Sequence, residues 1–278
     1  MAINAATKFA SKTSDLLFTE RKTQLVTNQD YDFDGVETVK IYTLSDPTIG
    51  NYDPSGGANR YGNPTEVEDT VQTFTLSRDR AWTKTIDKKN AQDTMMIRKP
   101  AKYLAQATRN VLVPEIDTYI IAAICTAGAT YNRDDIVADA ATTAANAYTN
   151  FTDIVADIVD SDGPSEGLIA LATPAYVAKL KQASLFDSSD LGLKDRKAGV
   201  VGVIDGVKIV KVPSSRFPAN TDLVITHPMV TVAPEKLIDY TLHENPQGVS
   251  GQLLEYRHRY DAFIDVNKIN AVGIHKTA

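Results

Sequence analysis

Apolar and polar positions recur with different periods along this chain, and the longest regular stretch runs from Lys88 to Gly128. Apolar or small residues fall at Ile97, Ala101, Leu104, Thr108, Val111 and Leu112, then at Ile116, Tyr119, Ile120, Ala123, Ile124 and Ala127. That spacing predicts one face of a helix, with Lys99, Lys102, Gln106, Arg109, Asp117 and Thr118 on the other side. At about 1.5 Å per residue, Pro100 to Ala127 makes a rod of roughly 40 Å, a spine for the rest of the chain. Pro100 suits a first turn. Pro114 lacks an amide donor and is expected to kink or restart the rod, and Glu115 and Asp117 favour a restart because carboxylates are stabilised at a helix N-terminus.

Before the spine, residues 1–30 are polar apart from short clusters such as Leu16-Leu17-Phe18, and they read as an arm. Val36 to Tyr42 and Val71 to Ile86 are strand-like, the second run offering Phe74, Leu76, Trp82 and Ile86. Between them, fourteen of the twenty residues from Ser45 to Pro64 are Gly, Pro, Asn, Asp or Ser, too little apolar surface to fold alone. The pattern predicts an extended hairpin, and so long a polar tip is expected to reach a neighbouring subunit.

After the spine, Thr130 to Ala147 has a weak helical pattern. A better helix spans Thr152 to Val159, opened by Thr149, Asn150 or Thr152 and stopped by Ser161-Asp162-Gly163-Pro164. Leu168 to Ala172 reads as a buried strand and Pro174 to Ala183 as the helix that follows it. Val200 to Ile204 and Val207 to Val212 form a hairpin turned by Asp205-Gly206, which supplies positive φ angles. Further strands are predicted at Leu223 to Thr226 and Val230 to Ala233. Leu254, Tyr256, His258 and Tyr260 alternate with Glu255, Arg257, Arg259 and Asp261 in a long strand, and Asn270 to Ile274 is the last one. The fold class is α+β.

Composition changes this picture in a few places. With 278 residues, 43% of them hydrophobic, the chain is long enough for a core and two subdomains. No uninterrupted apolar run approaches the roughly 20 residues that span a bilayer, and Met1 to Ala10 has no signal-peptide core, so a soluble protein made inside the cell is expected. The net charge of −6 argues against an overall basic nucleic-acid binder. The charge is uneven: Lys84, Lys88, Lys89, Arg98, Lys99, Lys102 and Arg109 face only Asp87 and Asp93, whereas Asp134 to Glu166 holds eight acids and no Lys or Arg besides them. Two solvated faces explain this, as does a basic face of one copy meeting an acidic face of another.

Motifs for chemistry are absent. Asp30-Tyr31-Asp32-Phe33-Asp34-Gly35 opens like a calcium-binding loop, but the bidentate acid such a loop needs falls on Ile41, and a strand follows where a helix should. An Asx-rich turn accounts for it. There is no phosphate-binding glycine loop or nucleophile elbow, and His227, His243, His258 and His275 lack metal-ligand spacing. Tyr176 and Lys179 do not have the spacing of a reductase pair. Cys125, the one cysteine, lies on the apolar helix face and reads as core. No catalytic, cofactor-binding or metal-ligating residue is assigned, and no cofactor is implied.

The order of parts, together with Val39-Lys40-Ile41-Tyr42-Thr43-Leu44, Arg60-Tyr61-Gly62-Asn63-Pro64-Thr65-Glu66, Phe74-Thr75-Leu76-Ser77-Arg78-Asp79, Val113-Pro114-Glu115-Ile116-Asp117 and Gly202-Val203-Ile204-Asp205-Gly206-Val207, resembles the major capsid protein of tailed bacteriophages, the Hong Kong 97 fold. The resemblance covers nearly the whole chain and rests on the order of the stretches, none of them diagnostic alone. It implies an N-terminal arm at 1–35, an extended E-loop hairpin at 36–87, the spine helix of a P-domain at 88–129, an A-domain at 130–250 and C-terminal strands at 251–278 returning to the P-domain. It also implies hexamers and pentamers in an icosahedral head shell around double-stranded DNA, and no enzyme. Implied partners are further copies, a portal protein, a separate scaffolding protein, since this chain has no room for a scaffolding segment of its own, and, in some members, a decoration protein. Packaged DNA would lie nearby without specific contact, and no membrane is involved. The implied location is the virion, with assembly in the host cytoplasm. Expected contacts between subunits are the E-loop tip (Tyr52, Asp53, Arg60, Tyr61) and the basic spine region (Lys88, Lys89, Arg98, Lys99, Lys102, Arg109). The alternatives are an encapsulin-like compartment shell, and a hydrolase or binding domain with a pocket in the α/β region.

Overall fold

The computed structural model describes residues 21–28, 38–45, 47–57, 59–93, 100–134, 141–182 and 200–277. The chain divides into two compact units, one of residues 33–77 and one of residues 1–32 and 78–278. The arm before Arg21 and the acidic turn from Asp30 to Gly35 lie outside the described residues.

In the smaller unit, β1 (Thr38–Leu44) and β2 (Asp69–Thr75) pair antiparallel, from Thr38 opposite Thr75 to Leu44 opposite Asp69. β-Branched residues fill the pair, and Thr38 and Thr75 join their hydroxyls at 3.0 Å across the open end.

The larger unit is built on the spine. It runs as α2 (Pro100–Ala107), a π-helical turn (Thr108–Leu112) and α3 (Val113–Thr130), after a short α1 (Lys88–Asp93). Pro100 opens its helix, as its fixed φ and missing donor favour. Pro114 cannot donate to the carbonyl four residues back, and the preceding residues widen into the π turn. The restart expected at Pro114 is therefore a change of helical winding within one continuous run. Tyr103 to Thr130 is long and apolar enough by composition to cross a membrane, which the search for unbroken apolar runs overlooked. Its side chains Ile116, Ile120, Ile121 and Ile124 are buried in the protein's own core.

That core lies on one face of a five-stranded sheet in the order β12-β7-β4-β6-β5, where β7 is Thr221–Thr226, β4 Ile169–Ala172, β6 Val207–Lys211, β5 Val200–Ile204 and β12 Val272–Lys276. Ile169 and Leu171 of β4 face the spine with Val210, Val224, Val272 and Ile274. Ala170 and Ala172 face the opposite layer, α4 (Ala147–Asp160) and α5 (Pro174–Gln182), which contributes Phe151, Ile154, Ile158, Tyr176 and Leu180. A strand covered on both faces must be apolar throughout, and β4 is the strand that runs parallel to β6. The hairpin turn comes where the sequence placed it, with Asp205 and Gly206 at φ of 48° and 77°.

A three-stranded sheet completes the unit, in the order β3 (Arg78–Asp87), β10 (Gly251–Tyr260), β9 (Glu235–Glu244). Two expectations change here. The run from Val71 to Ile86 is two strands, and its second part pairs with β10, not with β1. β9 had no counterpart in the sequence reading, because its mixed polar pattern becomes a strand only through register with β10.

Boundaries shift elsewhere. α4 begins at Ala147, with Asn146 at its cap position, so the starts expected at Thr149 to Thr152 lie inside the helix. Residues 141–146, the described end of the weak helical stretch, are loop and turn. Only Thr231–Val232 of the Val230 to Ala233 run is strand, as β8, paired with β11 (Phe263–Ile264). Asn270 and Ala271 close a short 3-10 helix, and the last strand begins at Val272.

Candidate functional site

In the smaller unit the polar tip is folded on itself. The Asp53 amide donates to the Arg60 carbonyl at 3.0 Å, and Asp53 Oδ1 accepts from the Ser55 amide at 2.9 Å, an Asx turn. The Tyr52 and Tyr61 rings meet edge to face at 5.0 Å. Tyr52, Asp53, Arg60 and Tyr61 thus come together within the tip. The tip still shows solvent much apolar surface, with Ile49 95% and Tyr61 93% exposed. On the hairpin behind it, register puts Tyr42 opposite Val71 and Leu44 opposite Asp69, and Tyr42, Leu44 and Val71 are all exposed on that face. Surface of this kind on a two-stranded ribbon, a structure marginal by itself, is a candidate contact site.

The basic residues are more scattered. Lys88 and Lys89 are exposed at the start of α1, where Asp87 Oδ1 accepts from the Lys89 and Asn90 amides at 2.9 and 3.3 Å. Arg109 is exposed on the π turn. Arg98 and Lys99 lie outside the described residues, as does the side chain of Lys102.

The structure also shows polar centres that sequence reasoning missed. Asp117, assigned to the solvent side of the spine, is wholly buried. Its carboxylate accepts from the Lys22 amide at 3.1 Å, the Thr23 amide at 3.2 Å and Thr23 Oγ1 at 2.7 Å, and pairs with buried Arg216. One acid thereby fixes the N-terminal segment and a distant loop to the spine. Val111, placed on the apolar face, lies in the π turn and is 58% exposed.

A second centre joins β3 and β10 to the spine. Glu115 Oε1 takes Arg78 at 2.8 Å and Arg80 at 2.6 Å, while Arg78 Nε donates to the Tyr260 hydroxyl at 3.0 Å. The Arg78 guanidinium stacks 4.2 Å over the Tyr119 ring. Burial works to raise the Glu115 pKa, but Arg78 and Arg80 prevail and hold it below its usual value. The Tyr119 hydroxyl is pushed up to about 12, by burial first and then by its 2.6 Å hydrogen bond to Asp261.

The histidines are dispersed. His275 is buried between Asp222 Oδ1, 2.6 Å from its Nδ1, and the Asn150 amide, 3.0 Å from its Nε2. This is a Asn–His–Asp chain with Tyr176 at its side, and the Tyr176 hydroxyl donates to the Ala147 carbonyl. His258, on β10, has Nε2 3.5 Å from Glu235 Oε2, and its Nδ1 has no hydrogen-bond partner among the described residues. Cys125 is buried, and burial raises its thiol to about 12, far from a reactive thiolate. No group of three or more potential metal ligands occurs among the described residues. An open groove of about 400 Å³ lies on the three-stranded sheet, lined by Thr83, Thr241, Asp239, Glu255 and Arg257 among others. It is not in the α/β region where a substrate pocket was the alternative.

No family model matches the sequence, and no curated protein does. Solved structures do match. A chain of Mycobacterium phage Che8 superposes with a TM-score of 0.71 at 17% identity, covering 98% of each chain. The chain of the bacteriophage PhiM1 mature capsid gives 0.72 at 17%, covering 98% of this chain and 92% of that one. The capsid of cyanophage P-SCSP1u gives 0.70 at 11%, covering 98% and 93%. The chain has the Hong Kong 97-like capsid fold. The match leaves almost none of the chain uncovered. At such identities side chains are free to differ, so the likeness concerns the path of the backbone.

Proposed function

We propose that this chain is the major capsid protein of a tailed bacteriophage, assembling as hexamers and pentamers into the icosahedral head shell around double-stranded DNA. The observation that carries this reading is the likeness, over 98% of the chain, to capsid chains such as that of bacteriophage PhiM1. The exposed apolar hairpin supports it, because a marginal ribbon with Ile49, Tyr61, Leu44 and Tyr42 in water gains stability when a neighbour covers it. In this reading Tyr52, Asp53, Arg60 and Tyr61 contact the adjacent subunit. Lys88, Lys89, Arg98, Lys99, Lys102 and Arg109 form a basic contact region, and the protein is a container, not an enzyme. The arm, E-loop, P-domain and A-domain follow the ranges given above, except that the hairpin ends where β3 joins its own sheet. A portal protein and a separate scaffolding protein are its further partners, a decoration protein an additional one where present. The protein resides in the virion after assembly in the host cytoplasm. The overall acidity suits an inner wall that lets DNA move during packaging.

Negative-stain microscopy and sedimentation velocity on the full chain, alone and co-expressed with a scaffolding protein, test the proposal. Rings or closed shells are expected in at least one condition, and replacing the tip between Gly50 and Gly62 by a short glycine linker is expected to abolish them. A monodisperse compact monomer in both conditions would overturn the reading.

A further inference from the structure

Two charged surfaces of the larger unit form no ion pair among the described residues. On β3 and α1, Lys84, Lys88 and Lys89 are exposed and form no ion pair among the described residues. On α4 and the turn after it, Asp153, Asp160, Asp162 and Glu166 are likewise exposed and unpaired there, whereas Asp157 is drawn to Arg133 at 2.8 Å. Asp153 and Asp160 lie two turns apart on one stripe of α4, about 10 Å along its axis. Lys84 and Lys88 are separated by a similar length, roughly 13 Å along an extended chain. Each surface also has an apolar centre. Exposed Ala156 and Val159 adjoin the acids. Partly buried Trp82 shares the Lys84 face of β3, stacked on Tyr256 at 5.7 Å and met edge-on by Tyr103. An apolar middle with a charged rim, an aromatic anchor included, is how specific protein interfaces are built.

We infer that these two surfaces bind each other between copies, the Lys84–Lys88–Lys89 face of one subunit docking on the Asp153–Asp160–Asp162–Glu166 face of the next. The inference rests on the shell reading and names surfaces within it. Because the two patches differ, the contact is head-to-tail, the kind that closes subunits into rings when the rotation permits. It also gives the acids of α4 and the turn after it a counter-charge that the described residues do not supply. A neighbour's lysines neutralise them on assembly.

The test compares four full-length chains: the wild type, Lys84→Glu/Lys88→Glu/Lys89→Glu, Asp153→Lys/Asp160→Lys/Asp162→Lys/Glu166→Lys, and the chain carrying all seven substitutions. Circular dichroism and thermal melting check that each folds. If a reversal fails to fold, the milder Gln and Asn replacements at the same positions take its place and are read by salt dependence. The assembled fraction, measured by sedimentation velocity under conditions where the wild type assembles, is expected to fall by at least about tenfold in each single-face reversal. The chain with both faces exchanged is expected to recover to near the wild-type level. Wild-type assembly is also expected to weaken as ionic strength rises from about 0.01 M to about 1 M, where the screening length falls from about 30 to about 3 Å, and the neutralised variants are expected to lose that dependence. If each reversal assembles as the wild type does, or if the double exchange stays as defective as either single one, the pairing is overturned while the shell reading stands. A wild-type chain that never assembles overturns both.

Discussion

Asp117 shows how far a single side chain can depart from the pattern around it. Its neighbours on the helix place it among polar positions, yet it is buried and accepts three hydrogen bonds from Lys22 and Thr23 while pairing with Arg216. Breaking a buried pair leaves an uncompensated charge, so Asp117→Ala is expected to cost about 3–5 kcal/mol, read as a lower urea midpoint, and Arg216→Met in that background is expected to recover part of it. Cys125, at the other extreme, does what its pattern implied. Native chain is expected to be inert to a thiol reagent such as DTNB, with one thiol released per chain only on unfolding. The pH response belongs to the same scale. Glu235 is held below its usual pKa by His258 foremost, with Arg21 adding to it against burial, and Glu115 by Arg78 and Arg80 against the burial that would raise it. A depressed carboxylate contributes stability that is complete above its unfolded value, near 4.5, and is lost as pH falls through the folded one. Melting temperature is therefore expected to decline below about pH 4.5, and less steeply in the Glu115→Gln variant.

At the scale of elements, turns and close approaches follow from single residues. Gly206 has a φ of 77° and nothing within 4 Å of where a Cβ would lie, so Gly206→Ala tests backbone strain alone and is expected to cost about 1 kcal/mol. Gly251 is the opposite case. A Cβ there would sit 2.0 Å from the Ile86 carbonyl oxygen at the end of the β3–β10 ladder, and Gly251→Ala is expected to cost more, about 1–3 kcal/mol, and to loosen the end of that ladder in hydrogen exchange. Pro100, Pro114 and Asp205-Gly206 were legible because each constrains its own backbone. β9 was not, and neither was the division of Val71 to Ile86. A strand is completed by its partner, and the partners of β3 and β9 lie far along the chain on β10.

For the whole molecule, the hairpin is a part whose stability depends on its surroundings, being two strands with exposed apolar side chains. Trypsin is expected to cut unassembled chain first within the smaller unit, at Arg60, and to leave that bond intact in assembled shells, a difference a time course with mass spectrometry resolves. The sequence by itself determined the spine and its two prolines, the hairpin with its polar tip, the all-apolar β4 and the order of parts that resembles a capsid chain. It also placed Tyr52, Asp53, Arg60 and Tyr61 in one tip, because they flank a turn and meet through local bonds. Only the tertiary structure decided that β3 leaves the hairpin for β10, that Asp117 is a buried clasp, and that Glu115 ties a sheet to the spine. The reason is physical. Periodicity and turn chemistry are written in consecutive residues, whereas pairing register and the desolvation of a charge depend on which distant residues fold against them.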